Sequence, residues 1–238
     1  MTRIDVALVE RGLFPSRAKA REAIEAGLVS VDGRRVEKPS EAVAHQAQID
    51  ASAPYAWVSR GGVKLTAALD AFAIDPHNLV CLDIGASTGG FAHVLLSRGA
   101  RSVVCVDVGT GQLHPTIATD SRVKSMEQTD ARKLVAADLP EAPALIVVDV
   151  SFISLERVLP HVLSLAAPDA RLIALIKPQF EAGPVRKGVV RDAKIHATVC
   201  AKIETLVAAC GWRSIGVISS PIEGGEGNRE FLIGVERP

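Results

Sequence analysis

The 238-residue sequence has few aromatic residues, no net charge and no long uninterrupted apolar segment. Aromatic residues make up only 4%, which argues against nucleic-acid binding by a broad aromatic stacking platform. There are 27 Lys and Arg residues and 27 Asp and Glu residues, so any attraction for an anionic partner must come from a local basic patch. No stretch approaches the roughly 18 apolar residues of a membrane span, and the charged N-terminus MTRIDVALVERG lacks the apolar core of a signal peptide.

Cysteine is also scarce, with four residues, at positions 81, 105, 200 and 210, and no CxxC pair. Cys81 and Cys105 lie in apolar runs and are predicted to be small buried residues. We therefore expect neither a metal site nor a disulfide framework. These features indicate a soluble, reduced, cytoplasmic protein with no membrane partner and no stable protein partner. The length suits two small domains.

Residues 1–54 predict a small α+β domain. Helical spacing over 4–12 and 16–27 ends in each case at a glycine, and Ser16 is placed to cap the second helix. Two alternating runs then flank Asp32-Gly33, a strong signal for a tight hairpin. Two short helices and a hairpin therefore precede a linker at 55–60 and a larger domain at 61–238.

Basic residues collect in this first domain, and Arg17 and Arg21 share one helix face. Six acids between residues 5 and 37 dilute the patch, so charge alone favours a solvated surface. The pattern nevertheless resembles the S4 RNA-binding domain, and the matching positions are Arg3, Asp5, Leu8, Arg11-Gly12, Ser16-Arg17, Ile24, Gly27, Val29, Val31 and Asp32-Gly33. This resemblance implies binding of structured RNA through its phosphates and shape. The predicted RNA contacts are Arg3, Arg11, Arg17, Lys19, Arg21, Arg34 and Arg35.

The larger domain alternates helix and strand patterns, which predicts an α/β fold with a doubly wound, mostly parallel sheet. Predicted helices cover 64–72 and 91–98. Predicted strands cover 79–84, 102–107, 144–150 and 171–176. In such folds ligands bind beyond the carboxyl ends of the strands.

The segment LDIGASTGGF, residues 82–91, is the sharpest local signal for a cofactor. It differs from the G-x-G-x-x-G loop that binds pyrophosphate, and no P-loop lysine follows. Asp107 ends the next strand, 22 residues beyond Gly85, where an acid commonly accepts ribose hydroxyls. An acid just before the loop suits a cationic ligand, so we predict S-adenosylmethionine rather than NAD. The residues that support this prediction are Asp83, Gly85, Gly89, Gly90, Asp107 and Asp130.

Four charged residues occur where a sheet would not ordinarily place them. Asp149 and Lys177 follow apolar strands, Glu230 opens the last strand, and Lys64 begins the first helix of the larger domain. Each alone is best explained as a strand-end charge that reaches solvent. Together they suit methyl transfer to an alcohol, because a lysine depressed in pKa by burial and a second cation can act as the base.

The four residues resemble the K-D-K-E tetrad of FtsJ-type RNA ribose 2'-O-methyltransferases. The strings SRGGVKL, DIGASTGGF, DVSFISL and KPQFE…KGVVRD, combined with an S4 domain, resemble the TlyA family. That resemblance implies a Rossmann-like class I methyltransferase that methylates ribosomal RNA, alone or in a ribosomal subunit. It implies Lys177 as the base, with Lys64 and Glu230 orienting the hydroxyl. It also implies cofactor contacts from Gly85, Ser87, Gly89, Phe91, Asp107, Asp130 and Asp149.

Two departures and two alternatives accompany this hypothesis. Some relatives have Arg-x-Trp-Val between the domains, where this chain has Tyr55-Ala56-Trp57-Val58, so no role of that arginine transfers. The short termini suggest the class that modifies a cytidine of the large subunit alone rather than both subunits. The alternatives are a cytolysin, since the family is also called hemolysin A, and a non-catalytic ribosome-binding S4 protein.

Overall fold

The computed structural model describes residues 1–183 and 189–238, and the chain divides into two compact units, Met1–Ala56 and Trp57–Pro238. The residues expected to form a linker, 55–60, are divided between these units. The first two residues of the KGVVRD string lie outside the described residues.

The first unit packs two helices against short strands around a small apolar core that includes Ile4, Leu8 and Ile24. Ser16 caps the second helix, accepting a hydrogen bond from the Lys19 amide, as predicted. Asp32 and Gly33 both have positive φ, 49° and 78°, as a tight two-residue hairpin turn requires. The elements are β1 (Thr2–Arg3), α1 (Ile4–Glu10), α2 (Arg17–Glu25), β2 (Val29–Val31), β3 (Arg34–Arg35), β4 (Ala42–Val43) and β5 (Ile49–Ala51).

The second unit contains a mostly parallel sheet, and the described residues give it seven strands in the order β11-β12-β10-β9-β6-β7-β8. Its strands are β6 (Val80–Ile84), β7 (Ser102–Val106), β8 (Val123–Met126), β9 (Leu145–Val148), β10 (Arg171–Ile176), β11 (Arg213–Ser219) and β12 (Phe231–Glu236). Its helices are α3 (Gly61–Ala71), α4 (Gly90–Ser97), α5 (Pro115–Ala118), α6 (Leu159–Ser164), α7 (Pro178–Glu181) and α8 (Ala193–Ala209). Strand β12 is antiparallel to both of its neighbours. The α/β prediction is thereby confirmed.

Strand alternation separates two apolar cores, one on each face of the sheet. Leu82 and Ile84 of β6 contribute to the core that α6 and α8 cover. Cys81 of β6 and Cys105 of β7 contribute to the other, with residues of α3 and α4, and both are buried as predicted. Successive side chains of a strand point to opposite faces of the sheet. Because both faces are covered by a core, the central strands are apolar at almost every position.

The strand ends bring the predicted site residues to one edge of the sheet. Strands β6, β7, β9 and β10 run parallel, so their carboxyl ends share that edge. The antiparallel β12 pairs Phe231 with Ile176 at the end of β10. Glu230, which precedes Phe231, therefore lies at the same edge as Lys177, which follows Ile176.

Candidate active site

A cavity of about 470 Å³ opens at this edge, among the loops that follow β6, β7 and β9. Its volume falls in the range of pockets that hold small organic ligands. Carboxylates at its wall alternate with apolar side chains, a combination that suits a ligand with both hydroxyl and aromatic groups. The lining includes Gly85, Ser87, Asp107, Val108, Thr129, Asp130, Ala131, Asp149, Val150, Ser151, Phe152 and Ile153.

Gly85 lets the loop after β6 approach the loop after β9. Its φ is +80°, and a Cβ atom there would lie 2.4 Å from the carbonyl oxygen of Asp149. Any side chain would displace the Asp149 backbone and would also strain the left-handed conformation. Glycine at this position therefore couples the predicted cofactor loop to a predicted catalytic residue.

Asp107 is held by backbone amides of two loops. Its Oδ2 accepts a hydrogen bond from the Ser87 amide at 2.8 Å, and its Oδ1 accepts one from the Gly109 amide at 2.7 Å. Each carboxylate oxygen can accept more than one hydrogen bond. Asp107 is therefore fixed in place and still able to receive a pair of hydroxyl donors from a ligand.

Asp130 also reaches the cavity, and its carboxylate is paired with Arg132. Arg132 Nη2 lies 2.6 Å from Asp130 Oδ2, and the Arg132 amide donates to Oδ1 at 3.0 Å. These hydrogen bonds from Arg132 lower the pKa of Asp130 to about 2. The predicted cofactor acid thus remains charged, with part of its accepting capacity already used.

Four of the predicted cofactor residues do not line the cavity: Asp83, Gly89, Gly90 and Phe91. A Cβ atom on Gly89 would lie 2.9 Å from Leu113, and one on Gly90 would lie 2.0 Å from the Ser59 hydroxyl oxygen. The Phe91 ring is buried in the apolar core. These residues have packing roles that shape the loop, and their contact with a cofactor stays a prediction.

Asp83 is fully buried below the cofactor loop. Its Oδ2 accepts a hydrogen bond from the Ala92 amide at 3.0 Å, whereas its Oδ1 has no partner among the described residues. Burial, reinforced by the charge of Asp149, raises the pKa of Asp83 to about 8. The carboxyl group is thus mostly protonated at neutral pH.

The four predicted catalytic residues form two lysine–carboxylate pairs. Lys64 Nζ lies 2.5 Å from Glu230 Oε2, and Lys177 Nζ lies 2.6 Å from Asp149 Oδ1. Lys64, Lys177 and Glu230 are each less than a tenth exposed. Buried charges are stable only when they are paired, so each lysine depends on its carboxylate.

Ser151 is a site residue that the sequence analysis missed. Lys177 Nζ donates a hydrogen bond to its hydroxyl oxygen at 2.8 Å. Asp149 Oδ1, although close to Lys177, is buried and accepts no directed hydrogen bond within the described residues. The lysine is therefore oriented by the hydroxyl and attracted by the carboxylate. Only the DVSF string hinted at this role.

Glu181 joins the two loops that carry Lys177 and Asp149. Its side chain accepts hydrogen bonds from the Ser154 hydroxyl at 2.6 Å and from the Leu155 amide at 2.8 Å. It is buried, and that burial raises its pKa. Because Glu181 ends α7, which begins just after Lys177, this contact fixes the spacing between the two loops that carry the predicted catalytic residues. In the sequence, only its place at the end of the KPQFE string pointed to it.

The loop before β12 holds Glu230 from the other side. Arg60 donates a hydrogen bond to the carbonyl oxygen of Glu223 at 2.6 Å, which ties this loop to the start of α3. A Cβ atom on Gly224 would lie 2.5 Å from Glu230 Oε1. Glycine there lets the loop close over the carboxylate.

The basic residues of the first unit do not form one free surface. Arg3, Arg17 and Arg21 all contact the buried carboxylate of Asp5. The others have separate contacts: Arg11 donates to the carbonyl oxygens of Ala44, His45 and Ala47, Arg34 pairs with Glu41, Lys19 contacts Tyr55 and Glu22, and the Arg35 guanidinium lies over Gly27. RNA binding by these residues stays a prediction.

Within the described residues, no helix is long and apolar enough to cross a membrane. Nor do those residues bring together three His, Cys, Asp or Glu side chains in a group that could hold a metal ion.

Comparison with known proteins shows two matching families. Residues 57–237 match the FtsJ-like methyltransferase family, and residues 2–49 match the S4 domain. The chain is 44% identical to the 16S/23S rRNA (cytidine-2'-O)-methyltransferase TlyA of Mycobacterium tuberculosis, over 97% of this chain and 88% of that protein. It is 38% identical to the 23S rRNA (cytidine-2'-O)-methyltransferase TlyA of Campylobacter jejuni, over 74% of this chain and 69% of that protein.

A solved structure from Streptococcus thermophilus, described provisionally as a hemolysin, superposes with a TM-score of 0.79. It is 39% identical, and the match covers 99% of this chain and 88% of that one.

The raised pKa of Asp83 predicts a pH-dependent stability. Between about pH 4, where an exposed Asp titrates, and about pH 8, the folded chain retains a proton that the unfolded chain has lost. The free energy of unfolding should therefore fall as pH rises across this window, by up to about 1.4 kcal/mol per pH unit from this group. Asp83→Asn has no proton to lose, so urea unfolding of the ligand-free variant should show a flatter pH dependence.

The matched control is Asp169→Asn, which removes an exposed acid and should keep the wild-type slope. Equal slopes in Asp83→Asn and wild type would show that Asp83 is already ionised when buried.

Proposed function

The chain belongs to the TlyA family of FtsJ-like methyltransferases, and on that premise we propose that it methylates a ribose 2'-hydroxyl of ribosomal RNA. S-adenosylmethionine is its methyl donor. The observation that carries the proposal is the pair of lysine–carboxylate contacts at one edge of the sheet, next to a cavity of small-ligand size.

The residues around the cavity fit S-adenosylmethionine. Asp107 offers two fixed carboxylate oxygens, which suit the two ribose hydroxyls of a nucleoside. Apolar side chains such as Val108 and Ile153 offer faces for an adenine ring, with Asp130 nearby as an acceptor. Negative carboxylates around the cavity favour a cationic ligand over a phosphorylated one. When bound, the cofactor supplies an electrophilic methyl group.

Lys177 is the residue best placed to take the proton of the 2'-hydroxyl. It follows β10 at the ligand edge, and its amine contacts only Ser151 and Asp149 among the polar partners described. Ser151 aims the amine, while the Asp149 carboxylate stabilises the ammonium that forms when the proton arrives. The lysine must be neutral to accept that proton.

Lys64 and Glu230 form the second pair and orient the hydroxyl. Glu230 holds the Lys64 amine by a 2.5 Å contact, and both side chains are buried. A fixed ammonium can donate a hydrogen bond to the ribose oxygen, which aligns that oxygen before its proton leaves. The two pairs thus divide the work between proton removal and positioning.

We further propose that the target is a cytidine of the large ribosomal subunit, modified in the cytoplasm where ribosomes are made. Both named relatives act on cytidines of 23S rRNA, and only one is also named for 16S rRNA. Mapping of 2'-O-methylated riboses in cells with and without the gene should show one lost methylation, in 23S rRNA. A lost 16S site would place the protein in the class that modifies both subunits, and no lost site would contradict the proposed reaction.

Lys177→Arg tests the assignment of the base. Arginine keeps the positive charge but does not release a proton at accessible pH. The single-turnover rate of methyl transfer should fall about a hundredfold or more, as expected when a general base is lost. Affinity for S-adenosylmethionine, measured by calorimetry, should change little.

Lys194→Arg, an exposed lysine on α8, is the matched control and should retain the wild-type rate. A near-normal rate in Lys177→Arg would show that Lys177 only positions the ribose.

The exposure and backbone conformation of Phe152 point to a role in binding the substrate. The side chain is 91% exposed at the mouth of the cavity, and its backbone has a positive φ of 65°. A strained backbone that holds an aromatic ring in solvent is unfavourable for stability, and such strain is often found where a residue contacts a ligand. Its ring contacts Phe180, with centroids 5.3 Å apart, and keeps its other face open. We propose that this face stacks on the base of the target nucleotide.

Phe152→Ala should therefore weaken RNA use. Base–aromatic stacking contributes about 1–3 kcal/mol, so kcat/KM for ribosomal RNA should fall about tenfold. Phe152→Trp, which keeps an aromatic face, should recover most of it. If both variants lose activity together with affinity for S-adenosylmethionine, the ring instead belongs to the cofactor cavity.

A further inference from the structure

We propose that Asp5 is a positioning residue that organises Arg3, Arg17 and Arg21 into one phosphate-binding site on the first unit. This inference rests on the proposed function, because it assumes that the unit binds RNA. It goes further by assigning the geometry of three of the predicted RNA contacts to one buried acid.

The three arginines converge on Asp5 from two parts of the unit. Arg3 Nε lies 3.0 Å from Oδ1, and its Nη2 lies 3.2 Å from Oδ2. Arg17 reaches Oδ2 with Nη2 at 2.9 Å and with Nε at 3.2 Å. Arg21 reaches the same oxygen with Nε at 3.2 Å. Arg3 precedes α1, whereas Arg17 and Arg21 lie one turn apart on α2.

Asp5 is held where it can perform this task. Its side chain is fully buried, and it lies in the first turn of α1 beside the core residues Ile4 and Leu8. Its amide donates to the Pro39 carbonyl oxygen at 3.2 Å. The hydrogen bonds from Arg3, followed by those from Arg17 and Arg21, hold the pKa of Asp5 well below its usual range. It is therefore a fixed negative charge at any physiological pH.

The guanidinium groups keep much of their binding capacity. Arg3 and Arg17 each use two N–H groups on Asp5 and Arg21 uses one, so each retains at least three of the five that a guanidinium offers. The three side chains are about half exposed, at 48%, 51% and 47%. Three cations around one anion leave a positive site with its free donors in solvent. Phosphate oxygens are the acceptors that such planar groups bind best.

The remaining basic residues of the unit lack this arrangement. Arg11 donates its hydrogen bonds to backbone carbonyl oxygens, and Arg34 forms an ion pair with Glu41. The group around Asp5 is therefore the place in the described unit where several exposed guanidiniums share one fixed anchor.

Two roles of Asp5, neutralising the arginines or positioning them, predict opposite changes in RNA affinity when its charge is removed. If Asp5 only neutralises the patch, Asp5→Asn should tighten RNA binding because the site becomes more positive. If Asp5 positions the arginines, the same variant should weaken binding because the guanidiniums repel one another and lose their common anchor. The sign of the change therefore distinguishes the two.

The experiment measures binding of a fluorescein-labelled RNA hairpin to the full chain across a series of salt concentrations. We expect Asp5→Asn to bind at least fivefold more weakly than wild type. The matched control is Glu25→Gln, which removes one exposed negative charge from the same unit and should bind as well as wild type or better. Circular dichroism and affinity for S-adenosylmethionine report whether each unit is folded.

A second variant covers the case in which Asp5→Asn fails to fold. Arg21→Lys keeps the charge of a half-exposed side chain but removes the Nε donor to Asp5. It should weaken binding at least threefold with an unchanged salt dependence, whereas a purely electrostatic patch would bind as wild type does.

The possible failures are distinguishable. Wild-type binding by both Asp5→Asn and Arg21→Lys would overturn the positioning role while leaving RNA binding by the unit intact. If the wild-type chain itself does not bind the hairpin or ribosomal RNA, the proposed role of the first unit fails as well.

Discussion

The antiparallel pairing of the last strand with β10 is the constraint on which the proposed catalytic arrangement depends. Parallel strands bring only their carboxyl ends to the ligand edge, which accounts for Asp149 and Lys177. A residue that precedes a strand can reach that edge only if its strand runs the other way, as β12 does. Glu230 is such a residue, and through it Lys64 of α3 is drawn to the same place. Reversing this one strand would leave a cofactor fold without its second lysine pair.

The electrostatics of the site depend on the burial and the hydrogen-bond partners of its aspartates. Asp107 accepts hydrogen bonds from two backbone amides, and Asp149 lies against a lysine, so each of these carboxylates has a compensating partner beside the cavity. Asp83 has fewer partners: it is fully buried and accepts one backbone hydrogen bond, while its other oxygen has no partner among the described residues. Its raised pKa keeps it mostly neutral at pH 7. A buried charge on Asp83, repelled by Asp149 and Asp107, would be costly, and protonation avoids it.

Apolar periodicity and strand-end polarity predicted most of this architecture. Strand β10 was predicted to the residue. Asp149 and Lys177 were noticed because charges rarely end buried strands, whereas Lys64 and Glu230 joined the predicted catalytic set through the family resemblance. The packing contacts of individual residues could not be predicted from the sequence in the same way. Gly89 and Gly90 leave room for side chains from distant segments of the chain. In the sequence, a glycine needed for such packing cannot be distinguished from one needed for a ligand. Ser151 and Glu181 were missed because their partners lie about 26 residues away along the chain.

Both units use a carboxylate to fix basic side chains, and the ratio of charges determines what each arrangement can do. At the proposed catalytic edge each lysine has its own carboxylate, so neither pair offers an excess of positive charge to a polyanion. What such a pair offers is a well-placed amine, which in the proposed mechanism removes a proton at Lys177 and positions the hydroxyl at Lys64. Around Asp5 three guanidiniums share one carboxylate, which leaves excess positive charge on groups that never release their protons. The first ratio suits proton transfer and the second suits phosphate binding, so a chain with no net charge can still separate the two tasks by local pairing.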